Sequence, residues 1–354
     1  MTTAAATKMP IDAASQQVAL ALDIGGTTLK GSAVDTAGRT LITQTIPTGR
    51  PGKGVMHRAL AILRALKAEA LQRGLHPVGI GVGTPGLVNS DTGIVEYASS
   101  LGWTTMPVAD LLSAEFGLPV LISHDARAAG LAEARLLPPA PGQNSVFVAI
   151  GTGVGAAVIT DGTVVKGATH SAGELGHIPV IPGGETCTCS QRGCLEAYFS
   201  GAGLVRRYRG RGGDPAMTAA DIASGRAGEA GASIWDEGIE ALALALATVT
   251  LLTDPRTIII GGGLSEAGYT LLHPLGQNMS SLLAWRRPPA LRRSLLGPRA
   301  GQIGAAILGF RAAGFPDAGT NWSPEDVTAE APRPLEEHTS RQLTHNLRHH
   351  QGHP

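Results

Sequence analysis

Short apolar runs broken by glycine recur along this chain and set its periodicity before any chemistry is considered. From Gln17, the run VALALDIGG reads as a buried strand entering a glycine turn. TTLKGSAVD then alternates apolar and polar positions as a second strand. Ala37-Gly38 turns the chain, and RTLITQTIPT makes a third strand. Val55–Arg73 repeats apolar side chains at helical spacing and stops at Gly74, which takes the C′ position. His76–Val82 reads as another buried strand and Thr84–Thr92 as a Pro/Gly loop. A helix over Val108–Phe116, a strand over Leu118–Ile122 and a helix over Ala126–Leu137 follow. Proline and glycine at 138–142 mark a break. After it SVFVAIGTGVGAAVITDG restates the opening plan, so Asp23–Asp35 and Ala149–Asp161 read as one strand–turn–strand device used twice. Helical patterns then cover 218–225 and 231–253. A strand over Arg256–Ile260 runs into Gly261-Gly262-Gly263, and an apolar helix over Gln302–Ala313 closes the pattern.

Both ends lack such patterning. Residues 1–16 and 315–354 carry little apolar content, and the second stretch is rich in Pro, Glu and His, so both are expected to be disordered tails. His338, His345, His349, His350 and His353 fall in that tail, where solvated side chains with adventitious metal binding are the expectation.

Composition narrows the classes of function. Lys+Arg and Asp+Glu both number 28, so the net charge is zero, which argues against a nucleic acid or an anionic membrane as partner. The longest apolar stretch, Ala241–Leu252, is too short for a bilayer and reads as a buried helix. Residues 1–16 lack the apolar core of a signal peptide, so a soluble, cytoplasmic protein is expected.

One cluster of chemistry stands out. Cys187, Cys189 and Cys194 are the only 3 cysteines, and His177 precedes them in the run GELGHIPVIPGGETCTCSQRGCLEAY. Three thiolates and one imidazole make a closed zinc ligand set, and such clustering fits a reducing compartment better than a disulfide framework. A lone cysteine is usually a small buried apolar residue. Three at this spacing with a histidine are not. Glu174 and Glu196 flank the set, so the metal is expected to shape a site.

Two glycine turns offer phosphate chemistry. Gly25, Gly26, Thr27 and Thr28 follow Asp23, and Gly151, Thr152 and Gly153 follow the equivalent strand. Without Cβ atoms, backbone N–H groups can approach phosphate oxygens, and Asp23 can hold Mg²⁺ directly or through water. A single such turn would suit an ordinary hairpin. Two of them, with Gly261 and Gly262 in a third run, favour a nucleotide cleft between two similar halves. Gly81–Gly86 matches G-x-G-x-x-G, but Pro85 continues it as loop rather than helix, so a Rossmann site is rejected.

DIGGTTLKGSAVD, GVGTPGLVNSDTG, HDARAAGLAEA, GTGVGAAV, GELGH, CTCSQRGCLE and DPRTIIIGGGLSEAG occur in this order. Together they resemble the ROK family of repressors and sugar kinases, and within it the glucokinase-like enzymes, over roughly 17–314. The resemblance implies a two-domain α/β fold of the actin-like, ribonuclease-H type with an interdomain cleft. The domains would be 17–136 plus 301–314 and 137–300. It also implies Mg-ATP as donor, a hexose as substrate and a homodimer. Few residues precede DIGGT, which leaves no room for the helix-turn-helix of the family's repressors and favours the kinase branch.

The matching positions make Asp125 the base that takes the proton of a sugar primary hydroxyl as it attacks the γ-phosphate. An Asp capping the helix at Ala126 would explain the same residue without chemistry. Glu174 and Glu196 would accept hydrogen bonds from sugar hydroxyls, and His177 would add its free ring nitrogen to the pocket or to a neighbouring partner. Four protein ligands leave zinc no open position, so its role would be to fix the loop that carries the carboxylates. At several points the chain departs from the family pattern. Ser100, His124 and Arg127 stand where glucokinase-like members usually have Asn, and Thr28 where many have Lys. Ser100 and His124 therefore mark sugar-facing positions where the hydroxyl partners have changed. That shift points to another hexose or an N-acyl hexosamine, or to a weakly catalytic sugar sensor, as alternatives to glucose. Lys30 alternates onto one strand face and reads as solvent-exposed. Ser190 replaces a common Gly and fits if its φ is negative.

Overall fold

A computed structural model describes residues 16–329. Residues 1–15 of the tail expected at 1–16 and the five C-terminal histidines lie outside them. β1 (Gln17–Ile24), β2 (Thr28–Asp35) and β3 (Thr40–Pro47) form a meander, followed by α1 (Lys53–Gln72) and β4 (His76–Thr84). The short strands β5 (Leu87–Asn89), β6 (Ile94–Ala98) and β7 (Trp103–Met106) lead to α2 (Val108–Phe116), β8 (Val120–His124), α3 (Asp125–Leu136) and α4 (Pro139–Gln143). Then come β9 (Ser145–Ile150), β10 (Val154–Thr160) and β11 (Thr163–Val164), and helices α5 (Leu195–Tyr198), α6 (Gly201–Gly210), α7 (Ala219–Ala223) and α8 (Gly228–Thr253). β12 (Thr257–Gly261), α9 (Tyr269–Leu282), β13 (Ala290–Arg293), α10 (Ala300–Ala312) and α11 (Pro324–Thr328) complete the described chain.

The duplication read from the sequence is explicit in the sheets. One has the order β3-β2-β1-β4-β8 and the other β11-β10-β9-β12-β13. In each, the central strand runs antiparallel to the second strand of its hairpin and parallel to the strand on its other side. β5, β6 and β7 form a separate antiparallel sheet. The stretch Thr84–Thr92, expected to be all loop, thus contains a strand. Its pairing partners lie further along the chain and Pro85-Gly86 masks it locally.

Each half has its own apolar core, and a third core joins them. α1 buries Val55, Met56, Ala59, Ile62, Leu63, Leu66 and Ala70, a helical stripe facing the first sheet. α10 is buried almost all round, from Ala300 and Gln302 through Phe310, as expected for a helix enclosed on every side. It packs on β1 and β4 on one side and on α3 on the other, while α3 reaches β9 and β10. A Cβ on Gly81 would overlap the Ala305 carbonyl oxygen, so the first glycine of the rejected G-x-G-x-x-G run serves helix–strand packing. Buried Glu133 of α3 accepts hydrogen bonds from Ser294 Oγ, Leu295 N–H (3.1 Å) and Leu296 N–H (2.9 Å), tying α3 to the segment that leads into α10.

The expected disorder from 315 onward is corrected for 315–329. Trp322 is buried against Gly38 and Phe310, and its Nε1–H donates to Thr36 O at 2.8 Å. Arg135 and Arg299 donate to Thr320 Oγ1 and Ala329 O. A few anchors, Trp322 and Val327 above all, hold a segment whose mean composition is polar.

Candidate functional site

Two carboxylates stand at the centre. Asp23 closes β1 and pairs across the ladder with Lys30 of β2, so their side chains share a face. Lys30 is thus not a free surface lysine: it lies beside Asp23, and its Nζ donates to Pro298 O at 3.3 Å. Asp125 opens α3. Gly83 of β4 separates the two acids, with Asp125 Cα 3.6 Å and Asp23 Oδ1 3.8 Å from where its Cβ would lie. Gly301, in the first turn of α10, rests on the Asp23 carboxylate, with Cγ 2.8 Å from a Cβ placed there. Burial, and then the negative charge of Asp125, push the Asp23 carboxyl up to about 6, against the pull of Lys30. A dication at this point would reverse that shift.

The capping explanation for Asp125 is only half met. His124, not Asp125, occupies the N-cap, and its Nδ1 accepts the Ala126 N–H at 3.2 Å. Asp125 Oδ1 accepts the same N–H at 2.6 Å, which leaves Oδ2 without a hydrogen bond among the described residues. The same Nδ1 also lies 3.2 Å from Asp125 Oδ1. The ring reaches the second half, with Cε1 3.5 Å from a Cβ position on Gly155.

The first glycine loop is a tight turn. Gly25 N–H donates to Thr28 O at 2.9 Å. Thr48, buried at the end of β3, donates from Oγ1 to Gly25 O at 2.6 Å and from N to Thr27 O at 2.9 Å. Gly26 and Thr27 are left exposed. Thr48 was not legible as a site residue, because one threonine after a strand carries no distinguishing spacing. Ser100 sits beside this loop, its Cβ 3.7 Å from a Cβ position on Gly26.

The second loop is fixed from outside. Gly151 O accepts from Gly201 N–H at 2.8 Å and Thr152 O from Ala202 N–H at 3.4 Å, both at the head of α6. Glu196 Oε2 accepts the Val154 N–H at 2.8 Å and lies 2.5 Å from where a Gly153 Cβ would be, so no side chain fits there. Thr188 Oγ1 donates to Glu196 Oε1 at 3.3 Å. Glu196 therefore braces the phosphate-type loop, with its remaining lone pairs open to a ligand. Gly262 packs on the Ile150 backbone at the adjoining strand end, while Gly261 is buried beneath the Phe147 ring. Glu174 is exposed at the start of the turn that carries His177.

His177, Cys187, Cys189 and Cys194 bring their ligand atoms within 4.8 Å of one another. Cys187 Sγ lies 3.8 Å from His177 Nδ1, and Cys189 Sγ 3.7 Å from Cys194 Sγ. Thiolates about 2.3 Å from a tetrahedral centre lie about 3.8 Å apart, so these two separations are compatible with a shared metal ligand set. Without metal, burial and the thiols of Cys189 and Cys187 push Cys194 up to about 12. Burial also raises Cys187, but hydrogen bonds from Cys189, His177 and Thr188 outweigh it and bring it to about 7. Ser190 departs from expectation: its φ is +73, in the left-handed region.

Fold and site together define an α/β protein of two mixed sheets, each with a glycine loop after its central strand, the first next to Asp23 and the second braced by Glu196. The ROK family profile matches residues 19–311, and the chain belongs to that family. It is 34% identical over 316 residues to a glucokinase of Halalkalibacterium halodurans, covering 81% of this chain and 93% of that one. It is 31% identical over 296 residues to an N-acetylmannosamine kinase of Salmonella arizonae, covering 82% and 97%. Among solved structures it resembles a ROK glucokinase from Streptomyces griseus in complex with glucose and AMPPNP, with a TM-score of 0.72, 29% identity and coverage of 83% and 99%.

Proposed function

We propose that the protein is an ATP-dependent sugar kinase that phosphorylates the 6-hydroxyl of a hexose, with glucose as the substrate. The observation that carries this reading is Asp125. It stands at the head of α3 with one carboxylate oxygen uncommitted among the described residues, across Gly83 from Asp23 of β1, and its chain neighbours His124 and Ala126 lie against Gly155 of β10. Asp125 takes the proton of the 6-hydroxyl as that oxygen forms its bond to the γ-phosphorus and the bond to the ADP oxygen breaks. Gly25, Gly26, Thr27 and Thr28, together with Gly151, Thr152 and Gly153, cradle the phosphates. Gly262 lines the nucleotide side, and Gly261 supports it from below. Asp23, directly or through water, holds Mg²⁺, which neutralises phosphate charge. Glu174, His177 and Glu196, with Ser100 and His124, face the sugar.

The reading takes the fold as the actin-like, ribonuclease-H type with a cleft between halves 17–136 plus 301–314 and 137–300, and the repeated strand order of the two sheets supports it. His177, Cys187, Cys189 and Cys194 would hold zinc with four protein ligands, and the metal would fix the loop rather than react. The reading includes a homodimer, which light scattering after size exclusion tests.

Coupled ADP release across a hexose panel tests the reading. Release with glucose is expected, and Asp125→Asn should lower kcat at least a hundredfold while calorimetry shows sugar binding nearly unchanged. Unchanged turnover would remove Asp125 as the base. The likeness to N-acetylmannosamine kinases supports one second reading, in which that sugar replaces glucose. His124 and Ser100, where Asn is usual, are the positions that would allow it, and the same panel decides.

A further inference from the structure

A group of charges between the two halves has no part in the reaction above. Lys166 Nζ lies 2.6 Å from Asp91 Oδ1, and His170 Nε2 lies 3.7 Å from Asp91 Oδ2. Asp91 belongs to the turn between β5 and β6, on the first half, while Lys166 and His170 follow β11 on the second. The cluster therefore joins the two halves. Beneath it sits Arg127, the third residue of α3 and only 2% exposed. Its guanidinium donates to Val88 O of β5 at 3.3 Å and to Lys166 O at 3.4 Å, joining the same two segments. Its buried Nε has no protein partner. Burial lowers its pKa, while the charges of Glu174 and then Asp125 oppose that shift.

The loop bound in this way ends at Glu174. Ala172 N–H donates to Lys166 O at 3.1 Å, so that carbonyl is a shared node for loop and guanidinium. Gly173 O accepts from Ala156 N–H at 2.7 Å, fixing the far end on β10. His170 adopts φ +57 inside the loop, a conformation that a non-glycine residue holds only when its surroundings impose it. Among the described residues the Glu174 carboxylate makes no hydrogen bond or ion pair, so its position is inherited from this loop.

We propose that Arg127 and the Asp91–Lys166–His170 cluster are positioning residues that bolt the 165–174 loop across the crevice and so set where Glu174 meets the sugar. The proposal rests on reading Glu174 as a sugar ligand. Arg127 supplies the buried, geometrically exact part of the bolt, since one planar fork reaches two carbonyls. The Asp91 pair supplies an exposed, salt-sensitive part.

The test uses the full chain and the hexose selected by the panel above. Asp91→Asn and Lys166→Gln should each raise the hexose KM about two- to fivefold, the range for an exposed ion pair, with kcat and the ATP KM unchanged. The charge swap Asp91→Lys with Lys166→Asp should restore the hexose KM. Arg127→Lys keeps the charge but not the fork, and should raise that KM about tenfold. Amide hydrogen exchange over 165–174 should accelerate in Asp91→Asn. A swap no better than the single variants, or singles with wild-type hexose KM and wild-type exchange, overturns the proposal. If the wild-type protein phosphorylates no hexose, the functional reading fails by itself. Loop exchange then decides the bolt: acceleration upholds it and unchanged protection overturns it.

Discussion

Ser190 illustrates what one residue can reveal about a loop. It holds φ +73 between the second and third cysteines, where a side chain costs about 1–2 kcal/mol relative to the right-handed region. Glycine removes that strain but loses more backbone entropy on folding, by about 0.5–1 kcal/mol. The first effect wins, so Ser190→Gly should raise unfolding stability by about 0.5–1 kcal/mol in denaturant melts of the metal-loaded protein. A drop in stability would mean the loop does not hold this conformation. The same scale shows why parts of the site stay hidden in a sequence. Asp23 and the three cysteines announce themselves through spacing, and Asp125 through the family resemblance. Thr48 and Arg127 do not, because each acts by donating to backbone carbonyls far along the chain. Lys30 was legible as a strand position, but its partner Asp23 emerges only from the ladder register.

Among elements, legibility follows locality. α2 occupies the span its apolar pattern marks, and α1 ends one residue before the span read for it, with Gly74 at φ +73 just beyond. α9 was missed because Pro274 and Gly276 interrupt its pattern, and helical backbone survives Pro274 through packing of Leu271, Leu275 and Met279. β5 to β7 are too short to alternate convincingly and exist by pairing with one another. The loop of Cys187, Cys189 and Cys194 is a further element whose order depends on what it binds. Cys187→Ser should release zinc, measured near one equivalent per chain in the wild type, and should weaken sugar affinity by roughly 10-fold or more, in line with loss of a metal-positioned ligand. A wild-type protein free of zinc would sink this account.

At the scale of the whole molecule, the chain is one strand plan used twice and closed by a strap. Residues 315–329 cross from the end of α3, at Arg135, past the turn at Gly38 to Arg299 ahead of α10. Trp322→Ala empties the notch over Gly38 and leaves Thr36 O without that donor. It should lower unfolding stability by about 3 kcal/mol, read from denaturant melts. A change below about 1 kcal/mol would show that the strap is dispensable. α3 and α10 lie in the core that both sheets share, and each carries a key residue at its head: Asp125 on one, and on the other Gly301 pressed against Asp23. These helices form the axle of the molecule. If the sheets swing apart to admit substrates, the rims travel furthest and the two acids travel least, so the chemistry keeps its alignment through every opening stroke.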